Sequence, residues 1–170
     1  MREPFVPISF TPPVHVQLCN EYYVEQINTT HTKEDLQIIT DNAKIIIKLR
    51  GGSKNGWPTV FTYEENYIDL AWLEMCFRLK QLFSYIIRDK ENNYIGCIYI
   101  YPIELYFADK ARKYDVDLSF WITQSVYYQG KYESIFLSFI TWLKKDWPFE
   151  MRRIYFRNKE IPSSILSQIT

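Results

Sequence analysis

The chain has 170 residues, about one domain's worth, and 20 Lys+Arg against 20 Asp+Glu give it a formal net charge of zero. An apolar share of 47% excludes a disordered chain, and five glycines exclude a collagen-like or low-complexity one. The charge balance argues against a dedicated nucleic-acid binder, which carries a strong basic excess.

Pro4, Pro7, Pro12 and Pro13 make residues 1–13 extended and non-helical. Val14 to Cys19 alternates apolar and polar residues with period two, which predicts a strand, and Tyr22 to Ile27 either prolongs it or pairs with another segment. Thr32 and Asp35 form a T-x-x-D capping box, and Leu36, Ile39, Ala43 and Ile46 follow at helical spacing up to Gly51-Gly52. Gly51 to Val60 reads as a loop. A second box, Thr62 with Glu65, opens a long helix whose face is traced by Ile68, Trp72, Met75, Cys76, Leu79, Leu82 and Phe83.

The period then changes. Phe83 to Ile87 and Tyr94 to Tyr101 are strands of a hairpin turned by Asp89 to Asn93. Gly96 inside the second strand marks a bulge or a close backbone approach. After a polar connection, Glu104 to Tyr114, comes a strand over Val116 to Thr123. Val116, Leu118, Phe120 and Ile122 share one of its faces, and Asp117, Ser119, Trp121 and Thr123 the other. Tyr132, Ile135, Phe136, Phe139 and Leu143 define a helix closed by Lys144, Lys145 and Trp147-Pro148. Ile154 to Phe156 is a last strand, and 159–170 a short tail with one or two helical turns in Ile161 to Thr170. The order β-α-α-β-β-β-α-β predicts a single α+β domain with a central mixed β-sheet. Its strands are apolar nearly throughout, so helices must cover both faces.

Cys19, Cys76 and Cys97 are odd in number and widely spaced, which fits reduced thiols in a cytoplasmic protein. Neither a signal peptide nor a membrane span is expected, and with no C-x-x-C pair no metal site is expected either. Cys97 lies mid-strand with no neighbouring His and reads as a buried, inert thiol, while His15 and His31 read as surface or cap residues.

Trp57-Pro58, Phe61 to Leu70, Phe83 to Ile87, Ile95 to Pro102, Ser119 to Ile122 and Trp142 to Phe149, in this order of elements, resemble the GNAT superfamily of acyl-CoA N-acyltransferases over about residues 14–158. Within it they are similar to a branch whose substrate is uncharacterised. The resemblance implies transfer of an acetyl group from acetyl-CoA, or another acyl-CoA, to a small-molecule amine by direct attack on the thioester. It places the pantetheine arm beside the backbone of Ser119, Phe120, Trp121 and Ile122, as an added strand would lie. It places the pyrophosphate at the loop and helix start that carry the motif Q/R-x-x-G-x-G/A. Here Gln129 fits that motif, with Gly130 forming the turn and Lys131 meeting a phosphate. Tyr132 and Ser134 stand where Gly and Gly/Ala are expected, and Tyr132 would crowd the phosphates. The superfamily continues past its fifth strand with a helix, often bearing a Tyr general acid, and two more strands; 14 residues follow Phe156, and no such Tyr is carried over. These departures sustain an alternative, a non-catalytic GNAT-fold binding or regulatory module.

For chemistry, Asp117 is a candidate base on the polar-labelled face of its strand, and Glu104 a second; the plain role of each is a paired or solvated carboxylate. A backbone N–H within Phe120 to Ile122 would polarise the thioester carbonyl. Trp57, Tyr99, Tyr101 and Tyr155, with Tyr127 and Tyr128, either line an acceptor pocket or pack the fold. From Lys144 onward six basic residues face three acidic ones, net +3, leaving −3 before it. That basic end either attracts the CoA nucleotide or is a solvated surface.

Overall fold

The computed structural model describes residues 3–169. Six strands run side by side in sequence order: β1 (His15–Gln17), β2 (Tyr22–Gln26), β3 (Phe83–Asp89), β4 (Tyr94–Pro102), β5 (Val116–Ile122) and β6 (Ile154–Phe156). Every neighbouring pair is antiparallel except β5 and β6, which are parallel. The sheet is mixed, as the sequence predicts. Val14 to Cys19 yields only a three-residue β1, and 22–26 returns beside it as its hairpin partner.

Period two divides the sheet into two unlike faces. Cys97, Tyr99 and Tyr101 of β4 stand across from Trp121, Ser119 and Asp117 of β5, and Ile98 and Ile100 stand across from Phe120 and Leu118. The first face is covered by α1 (Thr32–Asp41), α2 (Ala43–Leu49) and α3 (Tyr63–Arg78). The second is covered by α5 (Tyr132–Asp146), whose Phe136 and Phe139 lie 4.8 and 4.6 Å from the Phe120 ring. The N-terminal segment covers its far side, with Phe5 against Phe83 and Phe10 against Trp147. A short α4 (Gln124–Tyr128) joins β5 to α5, and α6 (Ser163–Ile169) forms the tail, with Thr170 outside the described residues.

Gly96 combines a bulge with a close approach. The β3–β4 register shifts between Ile87 and Arg88, and a Cβ on Gly96 would lie 2.2 Å from the Trp121 carbonyl oxygen. The hairpin turn is held by Asp89, which accepts from the Glu91 and Asn93 N–H groups at 3.0 and 2.8 Å.

Three local expectations are corrected. The predicted helix from Thr32 to Gly51 is two helices. The Asn42 side chain donates back to the Ile38 carbonyl at 2.9 Å and accepts from the Gln124 N–H at 2.8 Å, which ends α1 before Ala43 begins α2. Thr32 and Asp35 do not form a capping box. The cap lies earlier, where Asn28 Oδ1 accepts from the Thr30 N–H and His31 Nδ1 accepts from the Asn28 N–H. Asp35 is buried instead, taking the Tyr94 hydroxyl at 2.6 Å and the Asn66 amide at 2.9 Å. On α3 the Thr62–Glu65 capping box is present, but the expected stripe is split: Ile68, Trp72, Met75 and Leu79 are exposed, while Cys76, Leu82 and Phe83 are buried. The packed side is Asn66, Leu70, Leu73, Cys76 and Phe77, because buried Asn66 is tied to Thr32 O and Asp35 and so fixes the helix's rotation.

Candidate functional site

Strands β5 and β6 pair only over Val116–Leu118 and Ile154–Phe156, with one further bond from the Arg157 N–H to the Leu118 carbonyl. Beyond it they diverge, and the side chain of Asn158 fills the gap. Asn158 Oδ1 accepts from the Phe120 N–H at 2.9 Å, and Nδ2 donates to the Phe120 carbonyl at 3.0 Å. Nδ2 also donates to the Tyr132 hydroxyl at 2.9 Å, which in turn donates to the Glu160 carbonyl at 2.7 Å. The Tyr132 ring lies stacked on Phe120 with centroids 5.0 Å apart. Thus two residues of the predicted cofactor set, Phe120 and Tyr132, meet at the strand divergence, joined by Asn158, which the sequence reading missed. Above them α5 starts after Gly130, in the left-handed region at φ 74°, and Lys131. Gln129 and Gly130 are exposed, and Lys131 pairs with Glu21 at 3.8 Å. The shallow groove there also holds Asp89 and Glu91, so its surroundings are not strongly basic. Ser134 is exposed, its hydroxyl donating to the Lys131 carbonyl.

On the helical side of the sheet lies a cavity of about 600 Å³, a common size for a small-molecule site. Its walls are the sheet residues Tyr99 and Tyr101, the loop residue Trp57, Asp69 and Leu73 of α3, and Arg50 at the end of α2. The Arg50 guanidinium lies 4.3 Å from the Tyr99 ring centre and 5.0 Å from that of Trp57, and Nε donates to Ser119 Oγ at 3.0 Å. Desolvation holds the Tyr99 and Tyr101 hydroxyls well above their usual range, so both stay protonated. Burial, with a smaller contribution from Asp35, raises Asp69 to about 6, while Arg50 pulls it down. A carboxylate so placed exchanges a proton near neutrality, as a general base needs to do.

The other sequence candidates fall elsewhere. Asp117 is buried on the same face, but both its oxygens face Arg157, whose Nε donates to Oδ1 at 3.0 Å and whose Nη2 donates to Oδ2. Burial raises its pKa and the guanidinium lowers it. Glu104 is exposed and does not reach the cavity. Tyr155 packs against Phe107 and Tyr114 rather than lining the cavity. Trp121 is buried, its Nε1 donating to the Tyr99 hydroxyl at 3.1 Å, and Ile122 is buried too. Tyr127 bonds Glu160 and Lys48, and Tyr128 is exposed. Cys97 is fully buried, and desolvation pushes its thiol up to about 12. Of the charged residues that line the cavity, Arg50 and Asp69 form no ion pair, and the sequence reading singled out neither. The available signals were faint: an arginine closing the apolar run IIIKLR at a glycine pair, and an acid next to Leu70 on a helix.

Among the described residues no group of His, Cys, Asp or Glu is arranged to hold a metal ion, and no helix is long and apolar enough to cross a membrane.

No family model and no curated protein matches the chain. Solved structures do. The RimL ribosomal L7/L12 alpha-N-protein acetyltransferase, in complex with coenzyme A, is similar with a TM-score of 0.58 and 15% identity over 78% of this chain and 70% of that one. A ribosomal-protein-S5-alanine acetyltransferase from Vibrio fischeri gives 0.58 and 16% over 78% and 66%. A Salmonella typhimurium acetyltransferase that modifies the N-terminal serine of L7/L12 gives 0.55 and 14% over 78% and 70%. This likeness establishes the fold: the chain has the GNAT, or acyl-CoA N-acyltransferase, fold.

Proposed function

We propose that the protein is an N-acyltransferase that passes an acyl group, acetyl in the simplest case, from an acyl-CoA to an amine. The observation that carries this reading is Asp69, a carboxylate with a pKa near 6 that lines a cavity whose wall also includes Arg157, the residue after β6. The neighbouring folds are acetyltransferases by name, one of them in complex with coenzyme A, which supports the same reading.

The residues at the divergence fit the pantetheine arm in their chemistry. The Phe120 N–H and carbonyl are met there by the carboxamide of Asn158, and pantetheine carries amides of its own. Phe120 would hold the arm once Asn158 turns aside, and the start of α5 with Lys131 would hold the phosphates. Acyl-CoA bound there would supply the thioester carbonyl: the amine's attack would form the C–N bond, the C–S bond would break, and CoA would leave as a thiolate that takes up a proton. Asp69 accepts a proton from the incoming ammonium, which frees the nitrogen lone pair. Tyr99, Tyr101 and Trp57 wall the amine off from water and strengthen the field of Asp69. Asp117 keeps Arg157 in place at the cavity rim and takes no proton. The cavity's size favours a small amine over the ribosomal proteins named for the neighbouring structures.

The test is a melting curve with and without acetyl-CoA, followed by thiol release with an amine panel. A ligand at one hundred times its Kd adds about 2.7 kcal/mol to stability. No rise in Tm at millimolar acetyl-CoA overturns the reading. It would favour instead the non-catalytic binding module, to which one observation points, the Tyr132 ring and Asn158 amide closing the strand divergence.

A further inference from the structure

Arg50 is the most unusual charge in the molecule. Only 7% of its surface is exposed. Among the described residues no carboxylate lies within ion-pairing distance of it. Its contacts are one hydrogen bond from Nε to Ser119 and the faces of Trp57 and Tyr99. The other buried guanidiniums are treated differently: Arg88 is bracketed by Glu25 and Glu34, and Arg157 by Asp117. Taking a charge out of water without a counter-charge is costly, and proteins usually pair it. Arg50 instead faces the cavity of about 600 Å³. Nε is engaged with Ser119, while neither Nη nitrogen has a hydrogen-bond partner among the described residues, and a guanidinium fork matches a carboxylate in bidentate fashion.

Asp69 borders the same cavity and has no hydrogen-bond or ion-pair partner among the described residues. The cavity's other acid, Asp35, is already spoken for by Tyr94 and Asn66. Of the cavity's other cations, Lys54 is exposed and Arg157 is held by Asp117. The space therefore holds a buried cation, Arg50, and an acid, Asp69, that form no ion pair with each other.

We infer that the acceptor is a zwitterion, an amine that also bears a carboxylate, seated with its carboxylate on Arg50 and its ammonium toward Asp69. The ligand supplies both missing counter-charges at once. A simple alkylamine leaves Arg50 buried and unpaired, and a plain carboxylic acid does the same to Asp69. The cavity thus selects for amino-acid-like molecules and against decarboxylated or amidated analogues of the same size. This inference names the acceptor for the acyl transfer proposed above and rests on that reading for the chemistry, but not for the binding.

Binding is therefore the test, measured calorimetrically on the full chain with no acyl-CoA present. The probes are the free L-amino acids, β-alanine and γ-aminobutyrate, each compared with its own carboxamide. At least one acid should bind, and about tenfold or more tighter than its amide, since only the acid forms a charge-assisted pair with the buried guanidinium. Arg50→Gln should reduce the acid to the affinity of the amide. Arg50→Lys, which keeps the charge but loses the fork, should fall between. Asp69→Asn should weaken acid and amide alike, because it faces the amine they share. The inference is overturned if no acid binds, if acid and amide bind equally to the wild-type protein, or if Arg50→Gln folds and binds the acid as the wild type does. Should the Arg50 variants fail to fold, the acid–amide comparison on the wild type decides alone. A failure here leaves acetyl-CoA binding untouched, and a failure of acetyl-CoA binding leaves this selectivity to be read independently.

Discussion

Asn158 and Phe120 are joined as two strand residues would be, the side-chain amide of one taking both backbone groups of the other, at 2.9 and 3.0 Å. The parallel pairing of β5 and β6 stops two residues earlier, at Leu118 and Phe156, so a side chain continues what the backbone cannot. Both groups are buried. Asn158→Ala leaves the Phe120 N–H and carbonyl without partners, and each orphaned group costs about 1–3 kcal/mol. We expect a loss of about 2–4 kcal/mol, read as a lower urea midpoint at unchanged m-value. Asn158→Asp should recover only the bond from the Phe120 N–H, because a carboxylate cannot donate to the carbonyl.

Tyr132 closes the same gap from above. Its hydroxyl bonds Asn158 and Glu160, and its ring covers Phe120. Removing the ring opens the divergence where the pantetheine arm would lie. Tyr132→Gly should therefore lower stability, by about 3 kcal/mol or more from lost burial and helix propensity. The same variant should enlarge the rise in Tm caused by acetyl-CoA. A rise no larger than the wild type's would mean that the ring does not stand in the cofactor's way.

The element order was legible because its cues are local. The hairpin follows from two short, largely apolar runs around DKENN, and the start of α3 from a threonine and a glutamate three residues apart. The GNAT fold was legible only as a resemblance, carried by that order together with segments such as Ile95 to Pro102 and Trp142 to Phe149. The site was less legible, since Arg50 and Asp69 resemble any charges near helix ends and inside surface helices until the tertiary fold closes a cavity over them. Asp117 was legible as a polar residue on the right strand face, but not as the partner of Arg157, forty residues later. Asn158 carried no signal, because its role depends on the point at which two parallel strands part.

Asp69 gives a pH signature with a definite sign. Its folded pKa of about 6 lies above the ordinary 3.8, so between those values the unfolded chain loses the proton before the folded one. The group's favourable contribution is present below pH 3.8 and is lost as pH rises toward 6. Asp69→Asn removes the cost of the buried charge. The variant should be more stable than the parent by about 1–3 kcal/mol near neutral pH and level with it in acid. Activity should move the other way. The wild-type kcat/KM should fall as pH drops through about 6, and the variant should lose about 10²–10⁴-fold.

The Asp117–Arg157 pair should behave as a buried structural pair. The Asp117 side chain is 1% exposed and that of Arg157 16%. Arg157→Leu strands the carboxylate, at a cost of about 3–5 kcal/mol near neutral pH. The stranded acid then rises well above its ordinary pKa, so the cost shrinks as pH falls and Asp117 takes up a proton. Combining the variant with Asp117→Asn should recover part of the loss. A double-mutant cycle in urea at two pH values reads both effects.

The rotation of α3 can be tested with four substitutions. Leu73 is 4% exposed and packs between the helices and the sheet, whereas Ile68 is 67% exposed and Met75 43%. A helix apolar on nearly every side gives periodicity no means of choosing the inward face, and the choice is made by Asn66, fully buried and bonded to Thr32 and Asp35. Leu73→Ala should cost about 2–4 kcal/mol, as a buried leucine does, while Ile68→Ala and Met75→Ala should stay within about 0.5 kcal/mol. Asn66→Ala should cost about 2 kcal/mol, since it removes the donor that the Thr32 carbonyl and the Asp35 carboxyl share. Urea midpoints for the four variants give the ranking directly. The reverse order, with Ile68 and Met75 costly and Leu73 mild, would mean that the helix presents its other stripe to the sheet, and would take Asp69 out of the cavity with it.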